Sequence, residues 1–422
     1  MNAKSPPSAH FFRTLLIAGP GISGVGYTIG TGAVTKLGTA GFLSGWRLAW
    51  VLPLGGILFW ALAEAYGRYA MATGGTALHG MRLHLRGGNL VAIVVLLGVA
   101  AAQVSGLPVL AGLVARLSCE ALRLVLPVIP SGSPTAVLGC SALLGIGTYA
   151  VLRAGRYDPW EKTMVVASTL MLTGFIGAAG IAGFSCREAA VSVPVFADGD
   201  GWAAPVALIG TAVAAPTFLM RALVMRGKGW TPANSLTFSF QRRDAFVAAA
   251  GLVVLVGSIL SCGVAARGYG DVRDLFDLAP ALEARGGRVA AGFFLLGTIG
   301  AGVTSFIPMV MVLPLLLADF DGAGWSLNTT SFRAWSAGGC MLGAAGPLVG
   351  GHLLPLHKLA GQIGLVCVLP LAVAGILLLV NRRALMREQA AGLALNAGLI
   401  AAFGFSLVLS ASGLVALGRR FG

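Results

Sequence analysis

Long apolar runs are the feature that most limits what this chain can fold into. They recur from end to end, and at about 20 residues each is long enough to cross a hydrocarbon core of about 30 Å as an α-helix. Only 10% of the residues are charged, whereas soluble domains carry about 25%. Backbone polar groups in lipid need partners within the same segment, so the spans are expected to be helical. The sequence therefore predicts an all-α integral membrane protein.

The apolar runs divide into eleven predicted spans joined by short connections. Their approximate limits are 13–43, 47–72, 88–115, 135–153, 160–184, 203–226, 243–266, 288–318, 334–356, 359–381 and 391–417. The connection at 267–287 mixes charged and apolar residues and is predicted to lie along the membrane interface. No connection has room for a soluble domain, so residues 1–422 are predicted to form one transmembrane domain.

The distribution of lysine and arginine predicts the orientation. With the N-terminus inside the cell, the inner connections hold more than half of the 29 basic residues, as the positive-inside rule expects. The net charge of +14 then reflects bases that face anionic lipid. These bases are spread over many connections and form no patch, so nucleic acid is not an expected partner. We expect a multi-pass protein of the inner or plasma membrane with a cytoplasmic N-terminus.

Two spans contain residues that interrupt helices. Span 1 reads "GPGISGVGYTIGTGAVTKLG" over residues 19–38, and we expect it to break near "GTGA", which begins at Gly30. Span 6 reads "GTAVAAPTFLMRALV", with Pro216 in its middle. The alternative is close-packing glycines, such as the G-x-x-x-G of Gly26 and Gly30, and an ordinary proline kink. Two breaks at matching positions five spans apart instead favour a substrate site at mid-membrane.

Several segments of the chain, taken in order, resemble the natural-resistance-associated macrophage protein (Nramp) superfamily of divalent-metal transporters. The matching segments, within about 13–417, are "GPG…GYTIGTGAVT", "GRYAMATGG", "RYDPWEKTMVV", "GTAVAAPTFLMRALVMRGKGW", "FFLLGTIGAGVTSFI" and "GQIGLVCVLPLA". The resemblance implies the leucine-transporter-type fold, in which two inverted repeats of five helices precede one extra helix and helices 1 and 6 are broken. The repeats would cover about 13–184 and 203–381, and the extra helix about 391–417.

The chain departs from this family at the residues that bind metal. Metal-transporting members carry D-P-G-N at the break of span 1, and its Asp and Asn correspond here to Gly30 and Ala33. Their A-x-x-M-P-H motif in span 6 supplies a backbone carbonyl, a thioether and a histidine, at positions that correspond to Ala212, Ala215 and Thr217. The resemblance therefore implies a divergent branch that lacks both metal-site motifs.

No acidic residue replaces the missing ligands. The acidic positions that family members carry in span 3 fall near Ala102 and Ser105, and the one polar ligand position that is kept is Gln362. Of the 15 acidic residues, only Glu64 lies well within a predicted span. Arg68 follows it by one helical turn and is its expected ion-pair partner. The predicted substrate site therefore contains no carboxylate.

The predicted site residues lie at the two breaks or at the retained ligand position. They are Gly30, Thr31, Gly32, Ala33, Ala212, Ala215, Pro216, Thr217 and Gln362. Backbone carbonyls, two threonine hydroxyls and one amide are the ligands that remain. Such a site suits a cation that keeps much of its water, as Mg²⁺ does, and is poor for a dehydrated transition metal.

Two basic residues lie one turn beyond the predicted breaks. Lys36 follows the break in span 1, and Arg221 follows the break in span 6. They can extend to an interface, as long basic side chains do. They can also carry charge at the site, since ionisable residues inside a membrane are commonly functional. In the second case, together with the N-termini of the half-helices, they would suit an anionic substrate.

These features predict a secondary transporter. Its expected substrate, by resemblance, is a divalent metal cation with hydrated Mg²⁺ as the candidate, moved without proton coupling because no titratable group is visible beside the breaks. The first alternative is a small organic or anionic solute, and the second is a membrane scaffold or sensor that transports nothing. No enzyme activity and no cofactor are expected, since no nucleophile–base pair, metal cluster or phosphate loop is present in the sequence. The oligomeric state is left open.

Overall fold

The computed structural model describes residues 19–126, 133–183, 203–230, 235–320 and 326–421. All regular secondary structure in these residues is helical, so the predicted all-α architecture is confirmed. The predicted beginning of span 1, at residues 13–18, lies outside the described residues, as does most of the connection between spans 5 and 6.

The described chain forms fifteen principal helices. They are α1 (Gly19–Thr28), α2 (Thr31–Ser44), α3 (Val51–Thr73), α4 (Ala77–His84), α5 (Gly88–Val125), α6 (Pro134–Arg153), α7 (Tyr157–Ile181), α8 (Ala203–Ala212), α9 (Ala215–Gly227), α10 (Ser235–Ala265), α11 (Leu275–Phe320), α12 (Thr330–Ala344), α13 (Gly346–Ile363), α14 (Leu369–Val380) and α15 (Leu393–Phe421). A π-helical turn, Gly364–Val368, joins α13 to α14.

Each of the eleven predicted spans corresponds to one of these helices or to a consecutive pair. Spans 1 and 6 are the pairs α1–α2 and α8–α9, and span 10 is α13–α14. Eight stretches of the described chain are long and apolar enough to cross a membrane alone, and Thr31–Leu48 with Val51–Thr73, bent by 108°, makes a ninth. Spans 1 and 9 are too short to meet this test alone. Span 1 is divided into two half-helices, and α12, in span 9, has 15 residues.

Close glycine contacts set the spacing of several helices. A Cβ atom added to Gly41 of α2 would lie 2.2 Å from the Leu260 carbonyl oxygen of α10, and one on Gly263 would lie 2.0 Å from the Gly38 oxygen. A Cβ on Gly174 of α7 would likewise meet α11, 2.4 Å from a backbone nitrogen. Small residues allow membrane helices to approach in this way. Many of the glycines of this chain therefore pack helices, and only a few lie at breaks.

The connection predicted to lie along the interface is the first part of α11. Gly287, with φ of 71°, interrupts the helix, and glycine tolerates this left-handed conformation without a Cβ clash. Before this point Leu275, Leu278 and Leu282 are buried while the neighbouring charged residues Asp274 and Arg285 are exposed. The segment is therefore amphipathic, as predicted, and its apolar face packs on α2.

The predicted boundary between spans 9 and 10 is wrong. The sequence indicated spans at 334–356 and 359–381, but α12 ends at Ala344 and helix resumes at Gly346. A Cβ on Gly346 would lie 2.4 Å from the Pro108 carbonyl oxygen of α5, so this bend is set by close packing. The apolar pattern continues across the bend, which is why hydropathy alone could not locate it.

Candidate functional site

The first break lies between α1 and α2. Helix α1 ends at Thr28, helix α2 begins at Thr31, and Gly30 between them is extended, with φ of −87° and ψ of 178°. No side chain caps the N-terminus of α2. The break is thus at the beginning of the predicted "GTGA" segment, and Gly32 and Ala33 belong to the first turn of the next half-helix.

The second break lies between α8 and α9. Helix α8 ends at Ala212, α9 begins at Ala215, and the extended residue Ala214 precedes α9 without a side-chain cap. Pro216 was predicted to interrupt the middle of span 6, but it lies in the first turn of α9. Proline is well suited to that position because the amide hydrogen it lacks would have no helical partner there. Both predicted interruptions of helices 1 and 6 are confirmed, each displaced by a residue or more.

A pair of threonines joins the two breaks. The hydroxyl oxygens of Thr28, at the end of α1, and Thr217, at the beginning of α9, lie 3.1 Å apart. Both residues are buried. Gly24 of α1 lies beside this pair, where an added Cβ would make an ordinary contact of 3.7 Å with the Thr217 methyl carbon. Thr217 was a predicted site residue, whereas Thr28 was not.

Helix α11 forms a wall behind the first break. The Thr304 hydroxyl donates to the Gly26 carbonyl oxygen at 3.0 Å, which satisfies part of the end of α1. A Cβ on Gly30 would lie 2.9 Å from the Ser305 hydroxyl oxygen. The close-packing alternative therefore applies to Gly26 and Gly30. Gly32 differs, because it is exposed and a Cβ there would meet nothing within 4 Å.

The positions that carry ligands in the resembling family offer no ligating side chain here. Ala33 and Ala215 are buried at the starts of α2 and α9, and Ala212 is buried at the end of α8. The first turn of α2 offers one polar side chain, the hydroxyl of the buried residue Thr31. Within the described ranges, no three His, Cys, Asp or Glu side chains are grouped closely enough to hold a metal ion.

Gln362 and Lys36 stand apart from the threonine pair. Gln362 lies on α13, and its side-chain oxygen is buried with no hydrogen-bond partner in the described part of the chain. Its backbone oxygen lies beside Gly413 of α15. Lys36 is exposed one turn after Gly32 on the same face of α2. No hydrogen bond in the described part of the chain links Gln362 to either break.

Arg221 is not a free charge at the site. Its guanidinium lies 2.8 Å from the Asp244 carboxylate of α10, and the two side chains are only 4% and 2% exposed. The other carboxylate oxygen accepts a hydrogen bond from the Gly21 amide of α1 at 2.9 Å. The pair therefore ties α9, α10 and the beginning of α1 together. Arg221 therefore does not extend to an interface, and Asp244 balances the charge that it carries beside the breaks.

Asp244 also corrects the census of acidic residues. The sequence predicts that only Glu64 lies well within a span, since Asp244 is the second residue of the predicted span 243–266. It is buried inside the bundle instead. Two sequence features could have indicated this burial. Asp244 stands at the start of a long apolar run, and Arg221 in span 6 needs an acidic partner if it is buried.

A narrow cavity lies beside the second break, between Thr217 and Arg221 of the buried ion pair. It has room for about one water molecule. Its lining includes Tyr27, Phe59, Trp160 and Thr217, with Arg221 at one side. The Tyr27 hydroxyl accepts a hydrogen bond of 2.7 Å from the Gln103 amide of α5. The cavity thus places a small, mainly apolar space beside the two half-helix ends, with the Thr217 hydroxyl and Arg221 among its few polar groups.

Comparisons with known proteins agree with this geometry. Residues 22–416 match the family model described as natural resistance-associated macrophage protein-like. A search of curated protein sequences found no match. The family match covers nearly the whole chain, from α1 into α15.

Solved structures share the fold at low sequence identity. A variant of the Eremococcus coleocola manganese transporter is 15% identical, with a TM-score of 0.76 over 99% of this chain and 90% of that one. The same transporter bound to an aromatic bis-isothiourea-substituted compound gives 0.73 at 14% identity, over 97% and 88%. The transporter MHP1, of the nucleobase-cation-symport-1 family, gives 0.55 at 15% identity, over 95% and 93%. The leucine-transporter-type fold with broken helices 1 and 6 is therefore confirmed.

The family match and the fold lead to the same conclusion. Members of this family are transporters, so the expectation that the chain is not an enzyme is also confirmed. The chain belongs to the Nramp family and is a multi-pass membrane transporter.

Proposed function

We propose that this transporter moves a divalent metal cation past its two helix breaks. The supporting observation is the contact of 3.1 Å between the Thr28 and Thr217 hydroxyls, which joins the two breaks in the buried centre of the bundle. The ends of α1 and α8 leave carbonyls without partners in their own helices. Hydroxyl and carbonyl oxygens are the ligands that hard cations take. A protein with the same fold is a manganese transporter, which supports a divalent metal as the substrate.

Hydrated Mg²⁺ is the cation that this donor set suits. Gly30, Ala33 and Ala215 remove the side-chain oxygen and sulfur ligands that a dehydrated transition metal needs. Mg²⁺ gives up its water reluctantly and is bound by few direct protein ligands. A site of neutral oxygens therefore supports a cation that keeps part of its hydration shell. Gln362 is proposed to join the site only in a conformation that brings α13 to the breaks.

Transport is proposed to run without protons. The buried carboxylate of Asp244, on α10, is held by the Arg221 guanidinium of α9 and by the Gly21 backbone amide. It is therefore a structural charge and does not act as a proton carrier.

A small anionic solute is the second candidate. Helices α2 and α9 both begin at the breaks without a side-chain cap, and helix N-termini attract anions. Lys36 lies one turn further along α2 and is exposed. These groups favour a carboxylate-bearing solute. If such a solute is the substrate, it should stabilise the purified protein against heat, whereas Mg²⁺ should not.

The wider organisation is proposed as the sequence indicated. The two inverted repeats cover about 13–184 and 203–381 and the extra helix about 391–417, within one domain. The N-terminus is cytoplasmic, and the protein resides in the inner or plasma membrane. Lipid and a small ion or solute are its partners, with no nucleic acid.

Bulk at the open side of the first break tests the site. Gly32→Leu adds a side chain where nothing lies within 4 Å, so the fold should tolerate it while Mg²⁺ uptake into proteoliposomes is lost. Gly147→Leu is the matched control, because Gly147 is exposed on α6 and a Cβ there also meets nothing within 4 Å. Normal uptake by the Gly32→Leu protein would move the site away from this break.

Restoring the missing ligands tests the metal class. Gly30→Asp, Ala33→Asn and Ala215→Met together return two oxygen donors and a thioether. Ser305→Ala accompanies them, because the Ser305 hydroxyl lies only 2.9 Å from a Cβ at Gly30. We expect Mn²⁺ binding, measured by calorimetry, to strengthen by at least about tenfold over the Ser305→Ala parent, or about 1.4 kcal/mol. Lys36→Met should add to this gain by removing a nearby positive charge. No gain in Mn²⁺ binding would contradict the assignment of these positions.

A further inference from the structure

A groove between α3 and α10 remains after the transport site is accounted for. It has a volume of about 960 Å³ and is open on the outer side of the helix bundle. Ile57 of α3 and Phe246 and Val247 of α10 line it and are 54%, 66% and 51% exposed. Large apolar side chains exposed on a membrane-spanning bundle face lipid. The groove is therefore a lipid-facing surface, separate from the breaks.

One end of the groove is strongly basic. Arg242 and Arg243 line it on α10, and Glu64 lines it on α3. The Glu64 carboxylate is already bound by Arg68 at 2.7 Å, with the Arg242 guanidinium 3.8 Å away. Arg243 is exposed and has no ion-pair partner in the described part of the chain. Two guanidiniums share the one carboxylate and Arg243 adds a third positive charge, so this end keeps a net positive charge.

The length of the groove matches one leaflet of a bilayer. On α10 the lining runs from Ser239 to Val253, and on α3 from Glu64 to Pro53. At 1.5 Å per residue the stretch from Arg242 to Val253 and the stretch from Glu64 to Pro53 are each about 16 Å, with Ser239 beyond the arginines, while one leaflet contributes about 15 Å of hydrocarbon. A Cβ on Gly56 would lie 2.5 Å from the Val253 side chain, so the two helices close together at the apolar end. The basic end thus lies at headgroup depth and the closed end near the midplane.

We propose that this groove binds one anionic phospholipid. Its phosphate pairs with Arg242 and Arg243, and its acyl chains lie along Ile57, Phe246 and Val247. Basic clusters at the membrane surface attract anionic headgroups, and arginine pairs with phosphate through two parallel hydrogen bonds. The groove between α7 and α11 has a volume of about 420 Å³, and Lys162 is its one basic lining residue, so it lacks an arginine pair.

Native mass spectrometry of the purified protein with phosphatidylglycerol or phosphatidylcholine tests the proposal. The unmodified protein should retain phosphatidylglycerol preferentially. Arg242→Gln with Arg243→Gln should weaken that retention by roughly 30-fold, which corresponds to about 1 kcal/mol for each arginine. Arg153→Gln with Lys162→Gln is the control, since it removes two exposed bases at the α6–α7 turn and should leave retention unchanged.

A variant that fills the groove separates a lipid from a small phosphate. Ala250→Phe places bulk among the exposed lining residues of α10 and leaves both arginines in place. It should reduce phosphatidylglycerol retention several-fold, whereas binding of inorganic phosphate by the arginines alone would be unaffected. Equal retention of both lipids, an equal loss in the Arg153 and Lys162 control, or a dimer that buries the groove would each overturn the proposal.

Discussion

Replacing Asp244 by asparagine removes the counter-charge of a guanidinium that has almost no contact with water. Arg221 and Asp244 lie 2.8 Å apart with side chains 4% and 2% exposed. The Nε atom of Arg221 is buried without a hydrogen-bond partner in the described residues, so no other described group compensates its charge. Breaking a buried pair by removing one partner costs about 3–5 kcal/mol. We expect a loss of this size in the free energy of unfolding of Asp244→Asn.

The double variant Arg221→Met with Asp244→Asn removes both charges. Replacing a buried pair by uncharged residues is often nearly neutral, so the double variant should cost less than the sum of the two single variants. Residues in direct contact show coupling energies of up to about 3 kcal/mol. We expect a coupling of about 1–3 kcal/mol for this pair, measured by equilibrium unfolding in mixed micelles.

An exposed pair of the same length is the control. Glu120 and Arg123 lie 2.9 Å apart on α5, but their side chains are 38% and 39% exposed. Exposed pairs at this helical spacing contribute about 0.3–0.5 kcal/mol. A coupling between Arg221 and Asp244 no larger than that of Glu120 and Arg123 would refute the view that the buried pair holds α1, α9 and α10 together.

Two further variants test the threonine contact and the packing of the bundle. Thr217→Val keeps the shape but loses the hydroxyl 3.1 Å from Thr28, and it should lower Mg²⁺ uptake by about tenfold, or about 1.4 kcal/mol, whereas Thr173→Val, an exposed position on α7, should leave uptake unchanged. Gly343→Leu should destabilise the fold by about 1–3 kcal/mol through overpacking, because a Cβ there would lie 2.4 Å from the buried Phe306 ring. Gly147→Leu, made at an open position, should unfold at the same denaturant concentration as the unmodified protein.

The sequence could predict the parts of the fold that follow from local chemistry. Helix breaks at Gly30 and before Pro216 follow from the backbone properties of glycine and proline, and both were located within a few residues. The amphipathic segment before Gly287 follows from its charge pattern. The bend at Ala345 could not be found in this way, since it depends on contact between Gly346 and α5.

The site was less accessible to sequence reasoning than the fold. The absence of ligands at Gly30, Ala33 and Ala215 can be read directly once the breaks are aligned. The pairing of Arg221 with Asp244 joins residues on two helices, and only the packing of α9 against α10 brings them together. Burial of a charge is a property of the folded bundle, so the sequence alone could not show that Asp244, at the start of an apolar run, is buried.

Simultaneous measurement of cation uptake and internal pH in proteoliposomes tests the central claim most directly. The unmodified protein, with a Mg²⁺-sensitive dye and a pH-sensitive dye enclosed, should take up Mg²⁺ without acidifying the interior, because no free carboxylate or histidine is proposed to carry protons past the breaks. Mn²⁺ should compete weakly, because Gly30, Ala33 and Ala215 provide no side-chain ligands. Acidification driven by Mn²⁺, with little uptake of Mg²⁺, would contradict the account.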